Sequence, residues 1–426
     1  MSYCFMTKLD QFQILFQKIH TFLTEHFFLI QNEPLFTTTN CQWQKYNSYT
    51  DELLKFDSTA WKEIFQNKLN QQYSNELTTF LQEIHHLSEL NLPSFDYDDQ
   101  DLMKYQAHQL PILNKVNQKK KYELFQMIHF FQNAQLNFQD LFDIGSGHGH
   151  FSQFMHYFNI CHTSYNFDFN MELQITGKAK VEKHLPQFKH KINYIHQKID
   201  SQSELIPEKS MPLHQEKKLL FGLHTCGELA CHLMGLGIKN KINHLFNIGC
   251  CYHKMKNYIP LSHFVLEQGL NLALNPYSLN LASHASYVIS EENVHRKNMI
   301  REYRYGLHLY LLENHQQEII NIGGNKKPHQ SYLSYLEEKS VTLTNEFKIN
   351  LNIQKALMHF EAEENQRAIN RLIILGLFRS LIGKIIENYI LLDRYFYLKE
   401  HYNEVMMGTI FKPQISPKNI FLFARQ

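Results

Sequence analysis

Asp143-Ile-Gly145-Ser-Gly147-His-Gly149-His-Phe-Ser152 follows the apolar pair Leu141-Phe142 and runs into Phe151, Phe154, Met155 and Phe158 at helical spacing. The pair reads as the end of a buried strand, the glycines as a turn and the spaced apolar residues as a helix. Strand, glycine turn and helix together form the repeating unit of an α/β, doubly wound parallel sheet. Glycine suits the turn because it accepts positive φ and lets a ligand approach backbone that a Cβ would cover. The first turn of the following helix adds unpaired N–H groups.

Dinucleotide sites favour G-x-G-x-x-G with a pyrophosphate on the helix N-terminus, whereas the spacing here is G-x-G-x-G. A carboxylate at Asp143 suits the sulfonium and amino end of S-adenosylmethionine (SAM), with Gly145, Ser146, Gly147 and Gly149 forming the cradle. Thr163 to Asp168 reads as a second strand, ending in an acid where such folds place a carboxylate on ribose hydroxyls. A third strand, Ile192 to Ile199, ends at Asp200, which is expected to face the adenine edge.

Outward from this motif the chain divides into four stretches. Residues 1–105 carry helical apolar spacing, as in Phe12, Leu15, Phe16 and Ile19. The turn-rich acidic stretch Leu92 to Gln100 suits a connector. Residues 106–260 alternate strands and helices, residues 261–403 are helical, and residues 404–426 return to strand period. Val405 to Phe411 and Ile420 to Ala424 are the expected strands there, joined by a loop with two prolines. The stretch 261–403 is then a helical insertion before the last two strands. Its most apolar part, Leu372 to Leu398, is broken by Arg379, Lys384, Glu387, Asp393 and Arg394, which indicates an amphipathic or buried helix pair and no membrane span.

With 426 residues, 43% of them apolar and 19% charged, the chain can bury a large core. A formal charge of +1 excludes a chain-wide basic field, though not a local patch. The N-terminus has no basic region followed by a clean apolar run, so no secretory signal is read there. The seven cysteines, Cys4, Cys41, Cys161, Cys226, Cys231, Cys250 and Cys251, form no even framework, which fits a reducing, cytoplasmic location. Twenty-six histidines are scattered among many Lys, Asn, Ile, Tyr and Phe residues and do not by themselves mark a metal.

A second constellation is Leu219-Leu-Phe-Gly-Leu-His224-Thr-Cys226-Gly-Glu-Leu, followed by His244-Leu-Phe-Asn-Ile-Gly-Cys250-Cys251-Tyr-His253. Both blocks sit where a fourth and a fifth strand should end, so their ends should face the same crevice as the glycine turn. His224 or His253 there suits a general base, Cys226 joins them as a catalytic candidate, and His224 and Cys226 are both expected as pocket contacts, His224 on the cofactor. Zinc would take Cys226, Cys231, Cys250 and Cys251, or His253 in place of one, at a C-x4-C…CC spacing. That spacing lacks the C-x2-C knuckles of structural sites, and adjacent cysteines chelate one ion awkwardly, so no metal is expected.

Asp143 to Ser152, the block Gly222-Leu-His-Thr-Cys-Gly-Glu-Leu229 and Asn247-Ile-Gly-Cys-Cys-Tyr252 together resemble the methyltransferase-like protein 25 family, which includes proteins labelled as ribosomal RNA adenine dimethylase domain-containing. Lys120-Lys-Tyr-Glu123, Asn280 to Ala285, Glu387-Asn-Tyr-Ile-Leu-Leu-Asp-Arg394 and Ile415 to Ala424 extend the resemblance over most of the chain after about residue 100. It implies a seven-stranded SAM-dependent methyltransferase (Rossmann-like) sheet with Asp143, Gly145, Gly147 and Gly149 on SAM. It also implies S-adenosylhomocysteine as product and an RNA or protein acceptor. Members of that family usually carry lysine where this chain has His148, and that departure keeps open a SAM-binding but inactive scaffold. His224-Thr-Cys-Gly also lacks the Pro-Pro-aromatic grip on an exocyclic amine, so adenine dimethylation is not expected.

Overall fold

The computed structural model describes residues 7–32, 44–56, 58–97, 111–114, 116–205, 217–285, 291–315, 322 and 331–426. Cys4 and Cys41 lie outside these residues. Seven strands form one sheet: β1 (Phe138–Ile144), β2 (Cys161–Asp168), β3 (Ile192–His196), β4 (Lys218–Thr225), β5 (His244–Gly249), β6 (Glu404–Thr409) and β7 (Ile420–Arg425). Their order is β3-β2-β1-β4-β5-β7-β6. The first five run parallel, and β7 lies antiparallel to both β5 and β6. This is a doubly wound, Rossmann-like sheet, closed by the C-terminal strand pair.

The strands form where apolar side chains can be covered on both faces. Leu219, Leu220 and Phe221 of β4 are fully buried, as expected of a central parallel strand. On one face Phe151 stacks on Phe221 with ring centroids 3.6 Å apart, and Phe246 stacks on Phe421 at 5.1 Å. The outer edge at β6 is partly covered: Ser94 bridges Thr409, and the Phe95 N–H donates to the Thr409 carbonyl at 2.7 Å. Part of the stretch read as a connector thus shields an edge strand.

Contacts divide the chain into two units. The sheet unit comprises Met1–Phe16, Leu90–Ser283 and Asn388–Gln426, and the helical unit comprises Gln17–Glu89 and His284–Glu387. These bounds differ from the four sequence stretches, because the two helical regions share aromatic packing inside one unit. Phe80 meets Phe378 edge to face at 5.4 Å and stacks on Tyr49 at 5.2 Å. The expected helix pair over 372–398 is one continuous helix, Glu363–Lys399, since no proline interrupts it. Among the described residues no helix is long and apolar enough to cross a membrane. β3 stops at His196, three residues before the expected end, where the ring Nε2 is 2.8 Å from the Phe169 carbonyl oxygen.

Candidate active site

The glycine turn is built at the carboxyl end of β1. Gly145, Gly147 and Gly149 have φ of +71°, +56° and +68°, a region L side chains enter only at a cost. Asp168, at the end of β2, clasps the turn. Its Oδ2 accepts the Gly147 N–H and its Oδ1 the Asn170 N–H, both at 2.8 Å. Ser146 Oγ accepts from Gln174 Nε2 at 3.1 Å. Beneath the turn the Tyr194 hydroxyl donates to the His148 carbonyl at 3.1 Å and accepts from Gln153 Nε2 at 2.9 Å. A Cβ at Gly149 would sit 2.8 Å from that hydroxyl, so the position requires glycine twice over.

Beside the turn opens a cleft of about 290 Å³, walled by Gly145, Asp168, Phe169, Ile199, Cys226 and Lys254. Phe169 is 72% exposed, an apolar face left standing at the mouth. Of the residues singled out in the sequence, Gly145, Asp168 and Cys226 line this cleft, while Ser146, Gly147 and Gly149 shape the turn behind it. Asp200 is directed into its own loop: Oδ1 accepts from Ser203 Oγ at 2.9 Å and from the Gln202 N–H at 3.0 Å, which lowers its pKa. The cleft wall runs through Gln197, Lys198 and Ile199 instead, because β3 ends early. His253 is exposed, with its N–H and Nδ1 2.9 and 3.0 Å from Ser283 Oγ, and does not line the cleft.

Asp143 is buried behind the turn, and burial pushes its carboxyl up to about 7; the charge of Lys120 opposes this and that of Asp168 adds to it. His148 is held below the usual imidazole range by burial and by Lys180.

His224 occupies a bulge in β4, where the register to β5 shifts and its own φ is +59°. Its Nε2 lies 2.8 Å from Oε1 of Glu123, a carboxylate 1% exposed that also accepts from Ser416 Oγ at 2.8 Å. Burial would raise the Glu123 pKa, but the hydrogen bond and charge of His224, the charge of Lys120 and the Ser416 hydroxyl bring it below the ordinary value. The thiols of Cys226, Cys250 and Cys251 gather next to this pair. Cys226 Sγ is 3.3 Å from Cys250 Sγ, which is 3.6 Å from Cys251 Sγ. The Cys250 hydrogen bond lowers the Cys226 pKa, and the same bond, with burial, raises that of Cys250.

Sequence reasoning assigned no role to Phe169, Tyr194, Glu123 or Ser416. Phe169 was signalled by its place directly after Asp168, and Glu123 by the Lys120 to Glu123 block. No local pattern marks the other two.

Residues 116–258 match a protein family described as "Methyltransferase domain". A looser likeness is to TrmK of M. capricolum, solved with the cofactor product S-adenosyl-homocysteine. It has 16% identity and a TM-score of 0.22, over 58% of this chain and 96% of that one. Over residues 116–258 the chain is therefore similar to a methyltransferase domain. The cleft suits S-adenosylmethionine as donor: Gly145 lines it without a side chain, Asp168 presents a carboxylate, and Phe169 and Ile199 offer apolar walls to a base.

Proposed function

We propose that this protein transfers a methyl group by direct displacement from S-adenosylmethionine to an RNA acceptor, releasing S-adenosylhomocysteine. The donor supplies an electrophilic methyl on a cationic sulfur. The chain's own residues align the acceptor and exclude water. Gly145, Gly147 and Gly149 with Asp168 would hold the donor, and the buried carboxyl of Asp143 would favour its cationic charge.

One observation carries the RNA reading: a non-glycine residue, His224, has left-handed backbone at a strand bulge next to the cleft residue Cys226, and its ring meets the buried carboxylate of Glu123. Such strain persists only where surrounding structure enforces it, and it clusters at functional sites. An imidazole oriented by a carboxylate is the arrangement that takes a proton from a hydroxyl, and a ribose hydroxyl must lose one to accept a methyl. A protein nitrogen is the second reading, favoured by Glu228, whose side of the cleft offers a carboxylate.

The test is transfer of tritium from labelled donor into fractionated extract of cells lacking the protein. Label in an RNase-sensitive fraction is expected. His224→Ala should lower the rate on the order of 10²-fold while leaving donor affinity within a few-fold. Label only in a protease-sensitive fraction would move the assignment to protein. Donor binding with no label would assign an inactive scaffold.

A further inference from the structure

The loops after β4 and β5 are fastened to each other by backbone. The Gly227 N–H donates to the Cys251 carbonyl at 3.1 Å, as does the Lys254 N–H, also at 3.1 Å. Gly227 has φ +60°, and a Cβ there would lie 2.9 Å from Lys254 Cβ, so the loops approach as closely as glycine permits. The product of this approach is a trio of sulfur atoms. Cys226, Cys250 and Cys251 have their Sγ atoms all within 4.8 Å of one another, and Cys226 and Cys250 each lie 3.4 Å from the His224 carbonyl oxygen.

Adjacent residues on extended chain point to opposite sides, which is why neighbouring cysteines chelate poorly. Here the chain turns at Cys251 (φ −73°, ψ 72°), and the two neighbouring sulfurs come to 3.6 Å on one side. The objection drawn from spacing does not apply to this turn. The other ligands the sequence offered are engaged elsewhere: Cys231 Sγ is 3.8 Å from the Arg394 guanidinium, and His253 meets Ser283.

We propose that Cys226, Cys250 and Cys251 form a three-thiolate zinc site whose fourth coordination position opens toward the cleft. Thiolates about 2.3 Å from zinc at tetrahedral angles stand about 3.8 Å apart, so the 3.3 and 3.6 Å gaps need only spread by a few tenths of an ångström. Soft thiolate ligands select zinc over magnesium or calcium. Three thiolates leave one net negative charge on the complex, and Lys254 is placed to offset it, acting on both Cys226 and Cys251. Among the described residues no fourth His, Cys, Asp or Glu joins the trio, and Cys226 lines the cleft. Three protein ligands and an open position mark a site that binds a small molecule or substrate atom, as distinct from a closed structural site.

The experiment is metal analysis of the full chain, purified under reducing conditions, incubated with zinc sulfate and dialysed against a weak chelator. One zinc per chain is expected. Cys226→Ser, Cys250→Ser and Cys251→Ser should each lose it, and Cys231→Ser should keep it. In the unaltered chain cobalt(II) should give the intense sulfur-to-metal absorption of a thiolate site, a readout independent of whether any variant folds. Folded protein that retains no zinc, equal loss in Cys231→Ser, or an intact mass two hydrogens lower than the reduced chain, marking a disulfide, would overturn the site. None of these readouts involves methyl transfer, so failure here leaves the proposed function untouched, and the reverse also holds.

Discussion

At Asp143 a single carboxyl is buried directly behind the glycine turn. Its ordinary value of 3.8 rises to about 7 in the folded chain because burial removes water from the charged form. A carboxyl that ionises higher in the folded state binds its proton more tightly there than in the unfolded chain. Its contribution to stability is therefore complete below pH 3.8 and is lost as pH rises through about 7. Asp143→Asn removes that loss. Its melting temperature should exceed that of the unaltered chain at about pH 8 and should lack the decline between about pH 4 and 7; parallel profiles for the two proteins would refute this. The cationic donor favours the ionised carboxylate, so binding at about pH 6.5 should release a proton. Calorimetry in buffers of different ionisation enthalpy detects the release, and Asp143→Asn should abolish it.

Between elements, the motif blocks explain one another. Arg394, near the end of the helix Glu363–Lys399, is 2% exposed and lies over the Tyr252 ring at 5.3 Å, with Met255 Sδ 3.9 Å away. Asp393 beside it accepts the Leu261 N–H at 2.9 Å and the Ser262 N–H at 3.0 Å. A Cβ at Gly249 would stand 2.7 Å from the guanidinium. The Gly-Cys-Cys-Tyr block and the Leu-Asp-Arg block are thus two halves of one joint. Gly249→Ala should destabilise by about 1–3 kcal/mol, because the enclosed Arg394 has nowhere to move. Adding Arg394→Ala should cost less than the sum of the two single changes in a denaturation cycle, and strict additivity would sink the explanation. Local pattern was enough for the sheet: Leu219 to Phe221 and the glycine turn announce strands and a loop from neighbours alone. It was not enough for His224 and Glu123, which are 101 residues apart in sequence, or for Ser416 beyond them. The end of β3 was overrun because apolar Ile199 extends the strand pattern past a side-chain bond, His196 to Phe169, that only the folded chain makes.

Across the whole molecule the sheet unit is assembled from three separated segments. The stretch matching a methyltransferase domain, residues 116–258, contributes β1 to β5 but not β6 or β7. Without the C-terminal pair, β5 becomes an open edge from Asn247 to His244, with unpaired backbone groups that invite association. Phe246 loses its stacking partner Phe421, and Phe421 and Phe423 take their burial from the core, worth about 1.5–3 kcal/mol for each large side chain. Glu123 loses the Ser416 hydroxyl and keeps His224 with one fewer constraint. Against a marginal total stability of about 5–15 kcal/mol, these losses are decisive. A fragment limited to residues 116–258 should therefore lack a cooperative thermal transition and should not bind the donor, whereas the full chain should show both. A soluble fragment with dispersed amide resonances and donor affinity equal to that of the full chain would mean the five parallel strands suffice, and that the C-terminal pair only covers an edge.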